Sequence, residues 1–204
     1  MEKFYLENPS LERKEEIIDF INEFRLYNSE INGTGTLERI LDGDTLENVL
    51  EQGINMENPE YAKEMGLCPA KTFLLIREND NKIVGSINIR WNLSKEMLNF
   101  GGHIGYSIRP TERRKGYNKI NLYLGLIEAK KIGLEKVMLD CDVNNLGSDR
   151  TLKALGGFLE RTEIDPSDGT LTNVYWFNVQ NTLDIYKNIY EPYIVFYKET
   201  IKNK

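Results

Sequence analysis

Residues Ile104–Lys119 read IGYSIRPTERRKGYNK, a short apolar strand that passes through a cationic turn into the start of a helix. Pro110 cannot donate to a sheet ladder, so it ends the strand. Gly116 opens the helix, whose first amides have no partners within it. Those amides and the positive end of the helix dipole make a binding site for an anion. Five of the last eleven residues are basic (Arg109, Arg113, Arg114, Lys115 and Lys119), although the whole chain carries a net charge of −6. Local positive charge in an acidic protein, placed on a strand-to-helix turn, points to a phosphate ligand.

The rest of the composition narrows the partner. A net negative chain lacks the broad basic face that nucleic acid or an acidic membrane surface requires, so neither is expected as a partner. Two cysteines, Cys68 and Cys141, stand far apart, and His103 is the only histidine, so no disulfide framework and no metal site are expected. No apolar run approaches the roughly 20 residues of a membrane span, and the first residues lack the pattern of a signal peptide. A cytoplasmic location is expected.

At 204 residues the chain suits one domain over 1–180, its motif-bearing part at about 72–179. Residues 181–204 form an aromatic-rich extension (Tyr186, Tyr190, Tyr193, Phe196, Tyr197), packed on that domain or at a subunit contact, in a monomer or a homodimer. Period-2 and period-3.6 patterns alternate along the chain. Strands are predicted at Lys3–Leu6, Thr72–Arg77, Ile83–Trp91, His103–Arg109, Lys136–Cys141, Phe158–Glu163 and Leu171–Val179. Helices are predicted at Leu11–Leu26 behind a Ser10 cap, in short pieces over 36–65, from Gly116 to Ile132, and at Ser148–Leu155. Asn92–Asn99 reads as a polar connection. The order predicts a mixed α/β (α+β) fold: one largely antiparallel central sheet with helices on both faces.

The turn has neither the spacing of a nucleotide P-loop nor a GxGxxG. It resembles motif A of the GCN5-related N-acetyltransferases, a strand followed by Arg/Gln-x-x-Gly-x-Gly/Ala and a helix, which falls here on Arg113-Arg114-Lys115-Gly116-Tyr117-Asn118. Asn118 stands where the family has Gly or Ala. The second half of the signature falls on Asn145-Leu146-Gly147-Ser148, with Gly156-Gly157-Phe158 closing the helix. The resemblance implies the acyltransferase fold of that family and acetyl-CoA as co-substrate. It implies that the amides of Arg114, Lys115, Gly116, Tyr117, Asn118 and Lys119 hold the pyrophosphate, with Arg113, Arg114 or Lys115 on the 3′-phosphate. It implies that the strand edge at Ser107, Ile108 and Arg109 pairs with the pantetheine, that Asn145 bonds that arm, and that Ser148 caps the helix. The acceptor implied is a primary amine on a small molecule or a peptide.

The family's usual acid, a tyrosine four residues after Ser148, is replaced by Leu152, and the position of a glutamate base falls near Gly102. His103 is the candidate base by its ordinary pKa. Tyr106 is the candidate to orient the amine or protonate the thiolate. Cys141 has no second histidine to activate it and reads as a small buried hydrophobe. Asp140, Asp142, Glu23 and Glu30 are the carboxylates placed to meet a cationic acceptor. A CoA-binding regulator without turnover and an O-acyltransferase stay open as alternatives.

Overall fold

The computed structural model describes residues 1–196. Its strands are β1 (Phe4–Glu7), β2 (Ala70–Arg77), β3 (Lys82–Arg90), β4 (Ile104–Ile108), β5 (Lys136–Asp142), β6 (Phe158–Ile164) and β7 (Leu171–Asn178). Its helices are α1 (Lys14–Leu26), α2 (Leu46–Asn55), α3 (Pro59–Glu64), α4 (Lys95–Asn99), α5 (Tyr117–Ile132), α6 (Leu146–Ala154) and α7 (Val179–Tyr190). Single 3-10 stretches precede α1, link α1 to α2 and follow α7.

Every strand pair within the sheets is antiparallel, but hydrogen bonding divides the strands into two sheets where one was expected. One runs β1-β2-β3-β4 and the other β5-β7-β6. β4 and β5 turn unpaired edges toward each other and are joined through the backbone only at His103 and Met138 among the described residues.

The four-stranded sheet is covered on both faces. Alternation sends Phe73, Leu75, Ile87 and Ile89 to one side, against Leu122, Leu126 and Ala129 of α5. Leu74, Ile76 and Ile83 go to the other, against Ile17, Phe20, Ile21 and Phe24 of α1. Helix α5 is buried on nearly all sides because the second sheet and α7 close over it. Tyr123 and Tyr190 stack with centroids 5.3 Å apart, and the Tyr123 hydroxyl donates to the Leu183 carbonyl at 3.3 Å. Helix α7 begins at Val179, so the sequence division at 180 falls inside a helix packed on the body. Tyr197 lies outside the described residues.

Two local expectations change. Ser10 does not cap with its side chain; the chain enters α1 through a 3-10 turn, and the Arg13 amide bonds the Ser10 carbonyl at 3.2 Å. The polar connection after β3 contains α4, started by Ser94, whose hydroxyl accepts from the Met97 amide. Among the described residues no helix is long and apolar enough to cross a membrane.

The turn after β4 is anchored by buried charge. Glu112, 4% exposed, accepts from Arg77 at 2.8 Å, Lys82 at 2.9 Å and Lys115 at 2.7 Å. Burial alone would raise its pKa, but these three cations outweigh that and hold it down to about 2. A carboxyl depressed from its ordinary 4.5 stabilises the fold fully above that pH and loses the effect as pH falls toward 2. Glu112→Gln is therefore expected to cost about 2 kcal/mol near neutrality, and its urea midpoint should fall less than the wild type's between these two pH values. Parallel curves would show that Glu112 does not anchor the turn.

Candidate active site

In β4 the Arg109 amide donates to the Val84 carbonyl at 2.9 Å and the Arg90 amide to the His103 carbonyl at 2.7 Å. With the register Gly85↔Ile108 to Ile89↔Ile104, the odd-numbered residues of β4 therefore spend their backbone groups on β3. Ile104, Tyr106 and Ile108 turn theirs toward β5. In β5 the Val143–Leu171 bond continues the β7 ladder, which leaves Met138, Asp140 and Asp142 facing β4. The two edges meet at a single point. There His103 donates its amide to the Met138 carbonyl at 2.7 Å and accepts the Met138 amide on Nδ1 at 3.0 Å. Beyond that pin no backbone bond joins β4 to β5 among the described residues, and the strands enclose a slot edged by peptide groups.

This parity corrects the expected pantetheine edge. Ser107 and Arg109 face β3, and only Ile108 of the three faces the slot, where Tyr106 joins it. The Ile108 carbonyl accepts from Arg113 Nε at 3.0 Å, so its amide is the group left to a ligand. The Arg109 guanidinium is buried and pairs with Asp19 and Glu23 of α1. Glu23 also takes the Thr111 amide and hydroxyl at 2.9 and 2.8 Å, which holds its carboxyl low against the push of burial. Arg109 and Glu23 are thus parts of the scaffold.

At the wide end of the slot lies the turn. Arg114 (φ +64°) and Gly116 (φ +86°) both take left-handed backbone, which curls the chain so that successive amides face the same way. The amides of Arg114, Lys115, Gly116 and Tyr117 make no backbone hydrogen bond among the described residues. The cations divide by partner. Lys115 is paired with Glu112, and Arg113 bonds Ile108 and the Ser29 hydroxyl (2.7 Å). The side chains of Arg114 and Lys119 have no hydrogen-bond or ion-pair partner among the described residues. The Tyr117 ring is core, packed on Phe4, with its hydroxyl donating to Glu2 at 2.7 Å.

On the other wall the cap expected at Ser148 falls on Asn145. Helix α6 starts at Leu146, so Asn145 is its cap and takes the Ser148 amide on Oδ1 at 3.1 Å. The Ser148 hydroxyl is then free to meet the Tyr106 hydroxyl at 2.7 Å, across the slot. Burial raises the Tyr106 pKa above its ordinary value despite that bond, so the phenol keeps its proton. Asn118 Nδ2 reaches Thr151 at 3.3 Å while its buried Oδ1 has no partner. Leu152 is fully buried, and burial pushes the Cys141 thiol up to about 11.

The two walls enclose a cleft of about 870 Å³ that gathers Tyr106, Ser107, Ile108, Arg113, Arg114, Gly116, Tyr117, Asn118, Lys119, Asn145 and Ser148. Glu30 also lines it, and so do residues 27–29 and Asn32, with Arg150 and Thr151, which escaped the sequence reading. Arg150 is one helical turn from Leu146 in α6, a position that cap spacing would have flagged. His103 lies outside this lining. Burial and the nearby Arg90 push its pKa down to about 4 against the Met138 backbone bond, and its Nδ1 is committed to Met138. It is the pin of the slot, which overturns its assignment as the base. Asp142 caps the following loop through Asn144 at 2.7 Å. Among the described residues no group of three His, Cys, Asp or Glu side chains converges as a metal site would need.

A pyrophosphate fits the free amides of the turn and a pantetheine fits the unpaired slot edges, so the residues present suit a coenzyme A thioester. Solved structures share the fold at low identity. The ribosomal-protein-S5-alanine acetyltransferase of Vibrio fischeri superposes with TM-score 0.62 and 17% identity, over 89% of this chain and 96% of that one. The spermidine/spermine N-acetyltransferase SpeG of Vibrio cholerae gives 0.61 and 13%, over 90% and 98%. The microcin C7 self-immunity acetyltransferase MccE, solved with acetyl-CoA and AMP, gives 0.58 and 18%, over 86% and 92%. No curated protein sequence matches the chain. The family model for the acetyltransferase (GNAT) family matches residues 41–157, more than half of the chain and spanning α2 to α6. The chain belongs to the acetyltransferase (GNAT) family, whose co-substrate is acetyl-CoA.

Proposed function

We propose that this protein transfers the acetyl group of acetyl-CoA to a primary amine of a small molecule or peptide, by direct attack with both substrates bound. The observation that carries the reading is the slot between β4 and β5, which runs from the amides of the turn to the Tyr106–Ser148 hydroxyl pair. The free amides of residues 114–117, with Arg114 and Lys119, hold the diphosphate. The peptide edges of Tyr106 and Asp140 bond the pantetheine amides as an added strand. Holding both reactants in one groove supplies much of the rate.

The amine nitrogen forms a bond to the thioester carbonyl carbon, and the carbon–sulfur bond breaks. Of the two protons lost by the ammonium, one goes to solvent and the other ends on the sulfur. Tyr106 supplies the hydrogen bond to the leaving sulfur that the tyrosine of α6 supplies elsewhere in the family. A phenol is protonated at neutral pH and so can donate, and Ser148 holds the hydroxyl in the slot. Leu152, sealed in the core, leaves this role to Tyr106.

Two measurements test the reading. Calorimetry should show that Arg114→Glu weakens acetyl-CoA binding by about tenfold or more, an effect that shrinks as salt rises. Equal affinity in the two proteins would remove the turn from the site. Tyr106→Phe should lower kcat for thiol release by about 10²-fold with little change in the KM for acetyl-CoA. An unchanged kcat would dismiss Tyr106. Tight binding of acetyl-CoA without thiol release from a broad amine panel would favour a CoA-binding regulator.

A further inference from the structure

Three well-buried arginines of this protein are each matched by carboxylates. Arg13 pairs with Glu7 and Glu16, Arg77 with Asp80 and Glu112, and Arg109 with Asp19 and Glu23. Arg90 is different. It ends β3 beside the pin, and no carboxylate lies within ion-pair distance of it among the described residues. Nη2 donates to the Gly101 carbonyl at 2.9 Å, Nη1 makes no hydrogen bond, and Nε is buried without a partner. Burial pushes its pKa down against the pull of the more distant Asp140 and Cys68. A part-buried guanidinium with one hydrogen bond and a buried, unpartnered Nε is a costly arrangement unless something else completes it.

Its surroundings place it at the closed end of the slot. The Arg90 amide bonds His103, His103 bonds Met138, and Asp140 is the next residue of β5 to face β4. Asp140 accepts the Gly101 amide, and Arg90 donates to the carbonyl of that same glycine, so one loop residue carries both groups. On β4 the residue between them and Tyr106 is Gly105. A Cβ there would stand 3.3 Å from Arg90 Nη2 and 3.3 Å from the Gly33 amide nitrogen. The Gly33 backbone packs into the room left by the absent side chain, beside the guanidinium and next to Tyr106. His103, held neutral, adds no charge between the two groups.

We infer that Arg90 and Asp140 form the acceptor end of the slot, with Arg90 binding a carboxylate of the acceptor and Asp140 holding its ammonium. The acceptor is then a small zwitterion, an amine that also carries a carboxylate. This rests on the acetyltransferase reading above and adds the class of acceptor. Within that class the α- and ω-amino acids share the recognised chemistry, and a peptide beginning with an acidic residue offers it on a larger body.

The test is thiol release from acetyl-CoA with free α- and ω-amino acids, their carboxamides, the matching decarboxylated amines, and peptides with an acidic first residue. Acetyl-CoA affinity is measured separately by calorimetry. At least one amino acid should exceed its carboxamide by about tenfold or more in kcat/KM. Arg90→Gln should erase that preference by raising KM for the acid alone, with acetyl-CoA affinity kept. Should Arg90→Gln not fold, as judged by circular dichroism, Arg90→Lys keeps the charge but loses the fork and should reduce the same preference. Carboxamides and plain amines turned over as well as the acids would overturn the inference, as would equal losses for every acceptor in the variant. Turnover confined to peptides would overturn the small-molecule assignment, and so would no turnover of any acid with acetyl-CoA bound. Failure of acetyl-CoA to bind would instead defeat the transferase reading itself.

Discussion

Backbone hydrogen bonds that have nowhere to go decide the shape of this protein. A buried peptide group without a partner is costly, and an unpaired strand edge ordinarily acquires a neighbour. β4 and β5 face one another with such edges and yet bond only at His103 and Met138. That contact uses the His103 amide, its imidazole and both peptide groups of Met138. A neutral ring is required, and the buried setting beside Arg90 keeps it neutral. Past this point the strands divide into two sheets, and the cleft between them is lined by β4, the β4-to-α5 turn and α6.

The open end of the cleft is held by charge. Arg109 leaves β4 toward α1, where Asp19 and Glu23 receive it, and Glu112 gathers Arg77, Lys82 and Lys115 beneath the turn. These partly buried networks consume several of the cations that give the turn its basic character. The positive potential offered to a phosphate therefore comes from Arg114, Lys119, the free amides and the helix dipole. An acidic protein can in this way hold a strongly anionic substrate without a broad basic surface.

The strand–turn–helix at 104–119 was legible because its determinants are local. Pro110 stops a strand, Gly116 opens a helix, and alternation assigns faces. The second sequence motif was legible in place but not in role. Whether Asn145 or Ser148 caps α6 depends on where the helix starts, and that decides whether the Ser148 hydroxyl is free for Tyr106. Ser107 and Arg109 were misjudged as part of a ligand edge because the register with β3, set by a distant part of the chain, decides which peptide groups stay open. His103 was misjudged as a base because its ring is committed to a strand that begins 33 residues later.

The sequence by itself determined the order of elements, the family and the strand–turn–helix at 104–119, since these depend on spacing within a few turns of chain. Only the tertiary structure decided which edge of β4 stays open, which cations stay free, and that Arg90 and Asp140 share a loop residue at the closed end. Those outcomes depend on strand register and on partners brought together from distant parts of the chain. A one-residue change of register would reverse every backbone and side-chain direction in β4, and no local pattern carries that information.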